Sequence, residues 1–132
     1  MTIVADASVW VHYLIGALDD EERITLLDSD PVSPPHVDFE VGSALLRQER
    51  RGHLDAGAAR ALMGEFSAMP FRRQRHADDF GDALDLIDNA TYADALYVTM
   101  ARRLHLPLLT SDAGMAECAR IAEVDVRIIR AE

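Results

Sequence analysis

The chain has 132 residues, of which 49% are apolar, with one cysteine and a formal net charge of −10. That is enough chain to close one core and too apolar for a disordered segment, and a lone Cys118 leaves no internal disulfide, which points to a reducing, cytoplasmic setting. All 13 positive residues are Arg, so chemistry built on a lysine is excluded, as is loose attachment to nucleic acid through a broadly basic surface.

Thr2–Ala5 reads as a first buried strand, with Val9–Ile15 as the helix behind it. The whole stretch from Thr2 to Leu18 is apolar, but Asp6 and His12 interrupt it and no basic residue precedes it, so neither a signal peptide nor a membrane span is expected. Asp19–Glu22 open a second helix that runs to about Leu27, since acids in a first turn favour the helix dipole. Ser33, Pro34 and Pro35 mark a turn before a helix from about Val37 to Arg51, which Gly52 closes. Ala56–Ala68 is a further helical stretch, and Pro70–Arg75 a short edge strand, where proline is tolerated.

Asp78, Asp82 and Asp85 fall on one face of the next helix and Phe80, Ala83, Leu84 and Ile87 on the other. The acidic run from Asp78 to Asp88 therefore reads as solvated surface, and Phe80, like Trp10, as core. Thr91–Leu104 forms a helix with the apolar stripe Ala93, Tyr97, Met100 and Leu104, and with Thr99, Arg102 and Arg103 on its far side. Leu106–Thr110 reads as a buried strand, Met115–Ala122 as a helix and Val124–Ile129 as a final strand. Strands alternating with helices predict an α/β domain spanning 1–132, with a central parallel sheet covered on both faces.

Within that frame four carboxylates stand out. Asp6 and Asp112 follow apolar strands, at the carboxyl ends where open parallel sheets bind ligands. Glu40 and Asp94 lie beside the apolar stripes of two helices, near their starts. Each also has an ordinary structural use: Asp6 and Asp112 can cap the helices that follow, Asp94 can complement a helix dipole, and Glu40 can pair with His36 or Arg47. Two carboxylates about 5 Å apart repel by roughly 3 kcal/mol at an effective dielectric of 20. A divalent cation held by oxygen ligands, Mg²⁺ or Mn²⁺, compensates such a cluster. The five histidines are scattered and nowhere cluster with Cys118, which argues against zinc. Ser8 and Thr110 supply hydroxyls that can orient a carboxylate or a water. The arginines at 47, 50 and 51 and at 72, 73 and 75 can meet phosphates or simply be solvated. An apolar stripe at Leu45, Leu46, Leu62 and Met63 serves either the core or self-association.

Several phosphate chemistries fail on composition. A phosphoryl-accepting receiver domain and a haloacid-dehalogenase-type phosphatase both rely on a lysine, and the latter wants Asp where Ser8 stands. No G-x-x-x-x-G-K-[ST], G-x-S-x-G or H-E-x-x-H pattern occurs.

Four segments, V-A-D-A-S at Val4–Ser8, D-F-E-V-G-S-A-L at Asp38–Leu45, A-D-A-L-Y-V at Ala93–Val98 and L-L-T-S-D at Leu108–Asp112, resemble in order and spacing the acidic motifs of PIN-domain ribonucleases, in particular the VapC-like toxins of type II toxin–antitoxin systems. The resemblance implies a three-layer α/β domain with a parallel sheet of four to five strands. It implies that Asp6, Glu40, Asp94 and Asp112 bind Mg²⁺ or Mn²⁺ and carry hydrolysis of phosphodiester bonds in single-stranded RNA or tRNA. A cognate antitoxin protein, a homodimer and no membrane association are implied as well. Ala93, where many relatives have an aromatic residue, and Met115 and Glu117 after the last acid depart from the usual pattern. The competing expectation is a catalytically silent acidic module whose carboxylates recruit a basic protein partner.

Overall fold

In the computed structural model, which describes residues 2–88 and 90–130, five short strands pair in parallel: β1 (Ile3–Ala5), β2 (Pro31–Ser33), β3 (Arg72–Arg73), β4 (Leu108–Thr110) and β5 (Val126–Ile128). Their spatial order is β3-β2-β1-β4-β5. The three inner strands are buried at every position, whereas β3 and β5 at the edges are partly exposed. Burial on two faces is why β1 and β4 belong to apolar runs, whereas β2, Pro-Val-Ser, is equally buried without reading as one.

The strands are joined through helices α1 (Ala7–Leu14), α2 (Asp20–Asp28), α3 (Val37–Arg50), α4 (Ala58–Ser67), α5 (Phe80–Ala83), α6 (Tyr92–Leu104) and α7 (Ala113–Ile121). From β1 the chain steps outward to β2 and β3, then returns past β1 to β4 and steps the other way to β5. Parallel crossovers are right-handed, so reversing the direction of winding sends the later helices to the opposite face of the sheet. Contacts agree: α1, α3 and α4 pack on one another, and α6 packs on α5, α7 and β1. The reversal leaves a switch point between the carboxyl ends of β1 and β4, where a doubly wound sheet opens a crevice. Because α3 leaves the carboxyl end of β2 and α6 runs back toward β4, both helices start at that same end.

The core gathers Ile3, Val4, Trp10, Leu26, Phe66, Leu108 and their neighbours. Trp10 stacks on Phe71 with ring centroids 4.3 Å apart, and its Nε1 donates to Ser33 Oγ at 3.1 Å. Ser33 in turn donates to the Ala5 carbonyl at 2.6 Å, so these buried polar atoms are satisfied. Arg73 lies 4.1 Å over the Phe71 ring and forks onto both oxygens of Asp38. That clamp ties the edge strand β3 to α3.

The fold corrects several expectations. Ser33, expected in a turn, ends strand β2. The segment expected as one amphipathic helix after Asp78 is broken into a 3₁₀ turn (Ala77–Asp79), α5 and a second 3₁₀ turn (Leu84–Leu86). The break rotates Asp79 fully inward, where it meets Arg103 Nε at 2.6 Å, and leaves Phe80, expected in the core, 45% exposed. Thr99, expected outside, is buried. The stripe on α3 and α4 serves the core: Leu45 is fully buried, Leu62 and Met63 pack against it, and only Leu46 reaches the surface. The expected span of 1–132 includes Met1, Asn89, Ala131 and Glu132, which lie outside the described residues. Among those described, no helix is long and apolar enough to cross a membrane.

Candidate active site

A cavity of about 310 Å³ opens at the switch point, lined by Asp6, Glu40, Asp94 and Asp112 together with Ser8, Val11, His12, Ala44, Arg47, Tyr97 and Met115. All four acids singled out in the sequence thus come together, from one strand end, two helix starts and a second strand end.

Asp6 directly follows β1 and caps α1. Its Oδ1 accepts from the Val9 backbone N–H at 3.2 Å and from Ser8 Oγ at 2.6 Å, while Oδ2 accepts from Thr110 Oγ1. The capping use and the cavity-lining use, alternatives in the sequence, coexist in one side chain. Only 2% of Asp6 is exposed, and burial pushes its carboxyl from 3.8 up to about 6, with a smaller push from Asp94. The hydrogen bonds from Ser8, Thr110 and Val9 work against that rise without cancelling it.

The two hydroxyls do more than hold Asp6. Ser8 Oγ also accepts from the Ser111 backbone N–H at 3.1 Å, and Thr110 Oγ1 accepts from the Asp112 N–H at 3.0 Å. The end of β4 is therefore fastened to the residue after β1, 104 positions away, and Ser111 beyond it to Ser8. Asp112 then caps α7, its Oδ1 accepting from Gly114 N at 2.7 Å and Met115 N at 3.3 Å. A Cβ at position 114 would stand 3.2 Å from that same oxygen, so glycine there gives the capping carboxylate its room.

Glu40 lies in the first turn of α3. Its Oε1 accepts from the Tyr97 hydroxyl at 2.7 Å, with His36 Nε2 3.6 Å away. Burial raises its proton affinity, and the Tyr97 hydrogen bond partly offsets this. Asp94 lies in the first turn of α6, which Thr91 caps. Its carboxyl is raised by burial first, then by Glu40 and Asp112, and is eased by the Thr91 hydroxyl. No arginine of the described chain forms an ion pair with any of the four. The cluster is thus held by folding with its mutual repulsion largely uncompensated.

Tyr97 escapes the sequence reading of the site, and His36 enters it only as a possible partner of Glu40. Tyr97 reads only as a stripe residue in the sequence, yet its hydroxyl reaches Glu40. Burial and the surrounding carboxylates keep that phenol protonated, a permanent donor. His36 stacks with His76 at 5.4 Å and rests on the Tyr97 ring at 4.6 Å. It contacts the Ala93 carbonyl through Nε2 at 3.1 Å, bracing α3 against the start of α6. Tyr97 offered a signal, three residues after Asp94 on one helix face; His36 offered one four residues before Glu40.

The donor set suits a hard divalent cation: it is made of carboxylate oxygens, no arginine of the described chain pairs with it, and burial raises the proton affinity of Asp6, Glu40 and Asp94, with nearby acids adding to the rise at Asp6 and Asp94. Among the described residues no three His, Cys, Asp or Glu side chains already stand as a closed ligand set. A cation that keeps several of its own waters tolerates so open an arrangement, whereas a tetrahedral zinc site does not.

Known proteins bear on this cleft. Residues 3–121 match the PIN domain family. The chain is similar to Ribonuclease VapC3 of Mycobacterium tuberculosis, 34% identical over 116 residues that cover 86% of this chain and 85% of that protein. It is also similar to Ribonuclease VapC1 of the same organism, 31% identical over 96% of this chain and 97% of that protein. Among solved structures, PAE2754 from Pyrobaculum aerophilum superposes with a TM-score of 0.72 at 19% identity, covering 96% of this chain and 92% of that one, a likeness of fold.

Proposed function

Since the chain belongs to the PIN-domain family, we propose that it is a metal-dependent endoribonuclease, the toxin of a toxin–antitoxin pair, which hydrolyses phosphodiester bonds in single-stranded RNA at the four-acid cleft. The observation that carries the reading is the convergence of Asp6, Glu40, Asp94 and Asp112 on one cavity without a positively charged partner of matching number. The kinship with proteins named as VapC ribonucleases supports the ribonuclease activity and a cognate antitoxin.

Asp6 and Asp94 would be the central ligands of Mg²⁺ or Mn²⁺, and Glu40 and Asp112 the supporting ones. A bound ion supplies Lewis-acid stabilisation of the scissile phosphate and a water acidic enough to attack near neutral pH. The chain's own part is orientation. Ser8, Thr110 and the Val9 N–H fix Asp6 within a buried frame, and Tyr97 fixes Glu40. The α7 cap engages Asp112 Oδ1 and leaves Oδ2 without a protein donor among the described residues. Preorganised carboxylates of this kind need little rearrangement during reaction, which is where such sites gain rate. Val11, Ala44 and Met115 give the cleft an apolar wall that limits competing water.

A homodimer is part of the proposal. Phe80, Leu84, Ile87 and Tyr92, each 41% to 55% exposed, offer an apolar surface for it; gel filtration at several concentrations reports the state directly. The activity is tested by incubating end-labelled single-stranded RNA with the protein and Mg²⁺ or Mn²⁺, with and without chelator. Internal cleavage that requires the cation and disappears in an Asp6→Asn, Asp94→Asn double variant is expected. Undiminished cleavage by that variant would overturn the assignment. If instead the protein is only an acidic recruiter, wild type leaves RNA intact, and its melting temperature does not respond to the cation.

A further inference from the structure

Arg47 lines the cavity of the four acids and is exposed, yet it forms no ion pair with any residue described. A guanidinium that shares a cavity with four carboxylates and clasps none of them keeps its five donors free for a ligand. Its position explains the separation. Arg47 stands seven residues after Glu40 on α3, two turns on and therefore on the same face, about 10 Å along the axis. Ala44 lies between them on the helix, and Val11 and Met115 are further apolar residues of the cavity lining. Along α3 the lining thus passes from the Glu40 carboxylate through Ala44 to the Arg47 guanidinium. His12, which also lines the cavity, does not add a fixed charge, because burial lowers its affinity for a proton. Arg50 and Arg51, the other members of that cluster in the sequence, do not line the cavity.

An RNA strand repeats the same alternation of anionic phosphate and less polar nucleoside. We propose that Arg47 binds the phosphate adjoining the scissile one, with the intervening nucleoside lying over Val11, Ala44 and Met115. The inference rests on the ribonuclease reading and sets the direction in which the strand crosses the cleft: from the acids outward along α3. Guanidinium forks match phosphate oxygens in pairs, so arginine here supplies geometry as well as charge.

The experiment compares wild type, Arg47→Ala, Arg47→Lys and Arg60→Ala on one short single-stranded RNA. Arg60 is exposed and outside the cavity, so its loss changes net charge equally without touching the cleft. For Arg47→Ala we expect KM to rise roughly tenfold or more with kcat within about threefold. The slope of log(kcat/KM) against log of the salt concentration should become shallower by about 0.7, the loss of one single-strand phosphate contact. Arg47→Lys should keep the slope and recover only part of KM, since it retains the charge and loses the fork. Arg60→Ala should match wild type. An unchanged salt slope for Arg47→Ala, an equal change for Arg60→Ala, or a fall in kcat alone would overturn the assignment of Arg47. Absence of cleavage by wild type is a different result: it removes the ribonuclease reading itself.

Discussion

Replacing Asp6 by Asn is expected to make the protein more stable near neutral pH while removing its activity. In the folded chain, burial and Asp94 hold the Asp6 carboxyl at about 6 rather than 3.8. One pKa unit corresponds to about 1.4 kcal/mol, so keeping this buried group ionised costs the fold roughly 3 kcal/mol above that pH. The sign follows from proton binding. The folded carboxyl binds its proton more tightly than the unfolded one, so stability falls as pH rises from about 4 to about 6 and stays lowered beyond. Below about pH 4 both states are protonated and the cost vanishes. Asn is a comparable helix cap, but its amide forfeits one of the three hydrogen bonds that Asp6 accepts, worth about 1 kcal/mol. A net gain of about 2 kcal/mol remains, or roughly 5–10 °C in Tm for a domain of this size. Thermal melts in chelator at about pH 7.5 and about pH 4 measure it. The Asn variant should melt higher at the first pH and no higher at the second. Adding Mg²⁺ should then narrow the gap, because the parent chain keeps the ligand that the variant lacks. A variant that melts at or below the parent near neutrality, or with equal gaps at both pH values, would refute the electrostatic account of this cleft.

Two further perturbations separate positioning from stability. Tyr97→Phe removes the hydrogen bond that restrains the rise of Glu40's proton affinity, so Glu40 should hold its proton to higher pH. The acid limb of the pH–kcat profile then moves upward, and a limb that stays in place rejects the role given to Tyr97. Arg103→Ala leaves the fully buried Asp79 without its cation. Removing one partner of a buried pair costs about 3–5 kcal/mol, and because the Arg103 side chain is 31% exposed the lower end is expected, about 3 kcal/mol in urea unfolding. Asp79→Asn in the same background should recover most of that loss, and failure to recover it would assign the effect to lost packing instead.

The features legible in the sequence are those whose anomaly is local. Asp6 and Asp112 each follow a run that burial on two faces requires to be apolar, so a carboxylate there is conspicuous without knowledge of the fold. Glu40 and Asp94 are visible because helical period alone sets them beside apolar stripes. What escapes notice depends on distant residues. Pro31–Ser33 holds one branched apolar residue and precedes two prolines, local marks of a turn. It is a strand because Val32 lies between Val4 and Arg72 in register. Asp79 looks solvated as long as its segment is assumed to keep a regular 3.6 period; two 3₁₀ turns change the phase, and Arg103, 24 residues on, completes the pair. The Tyr97 hydroxyl meets Glu40 across 57 positions, a relation with no sequence period. The same division bears on the chemistry. The excess of negative charge at the cleft belongs to residue types at strand ends and helix starts, and it survives any rearrangement of the partners. How far the burial-driven rise of Asp6 and Glu40 is held back is set by Ser8 beside Asp6 and by Thr110 and Tyr97, which only the folded chain brings within reach. Substitutions at those partners should therefore retune the pH dependence of the site, whereas substitutions at the acids remove it.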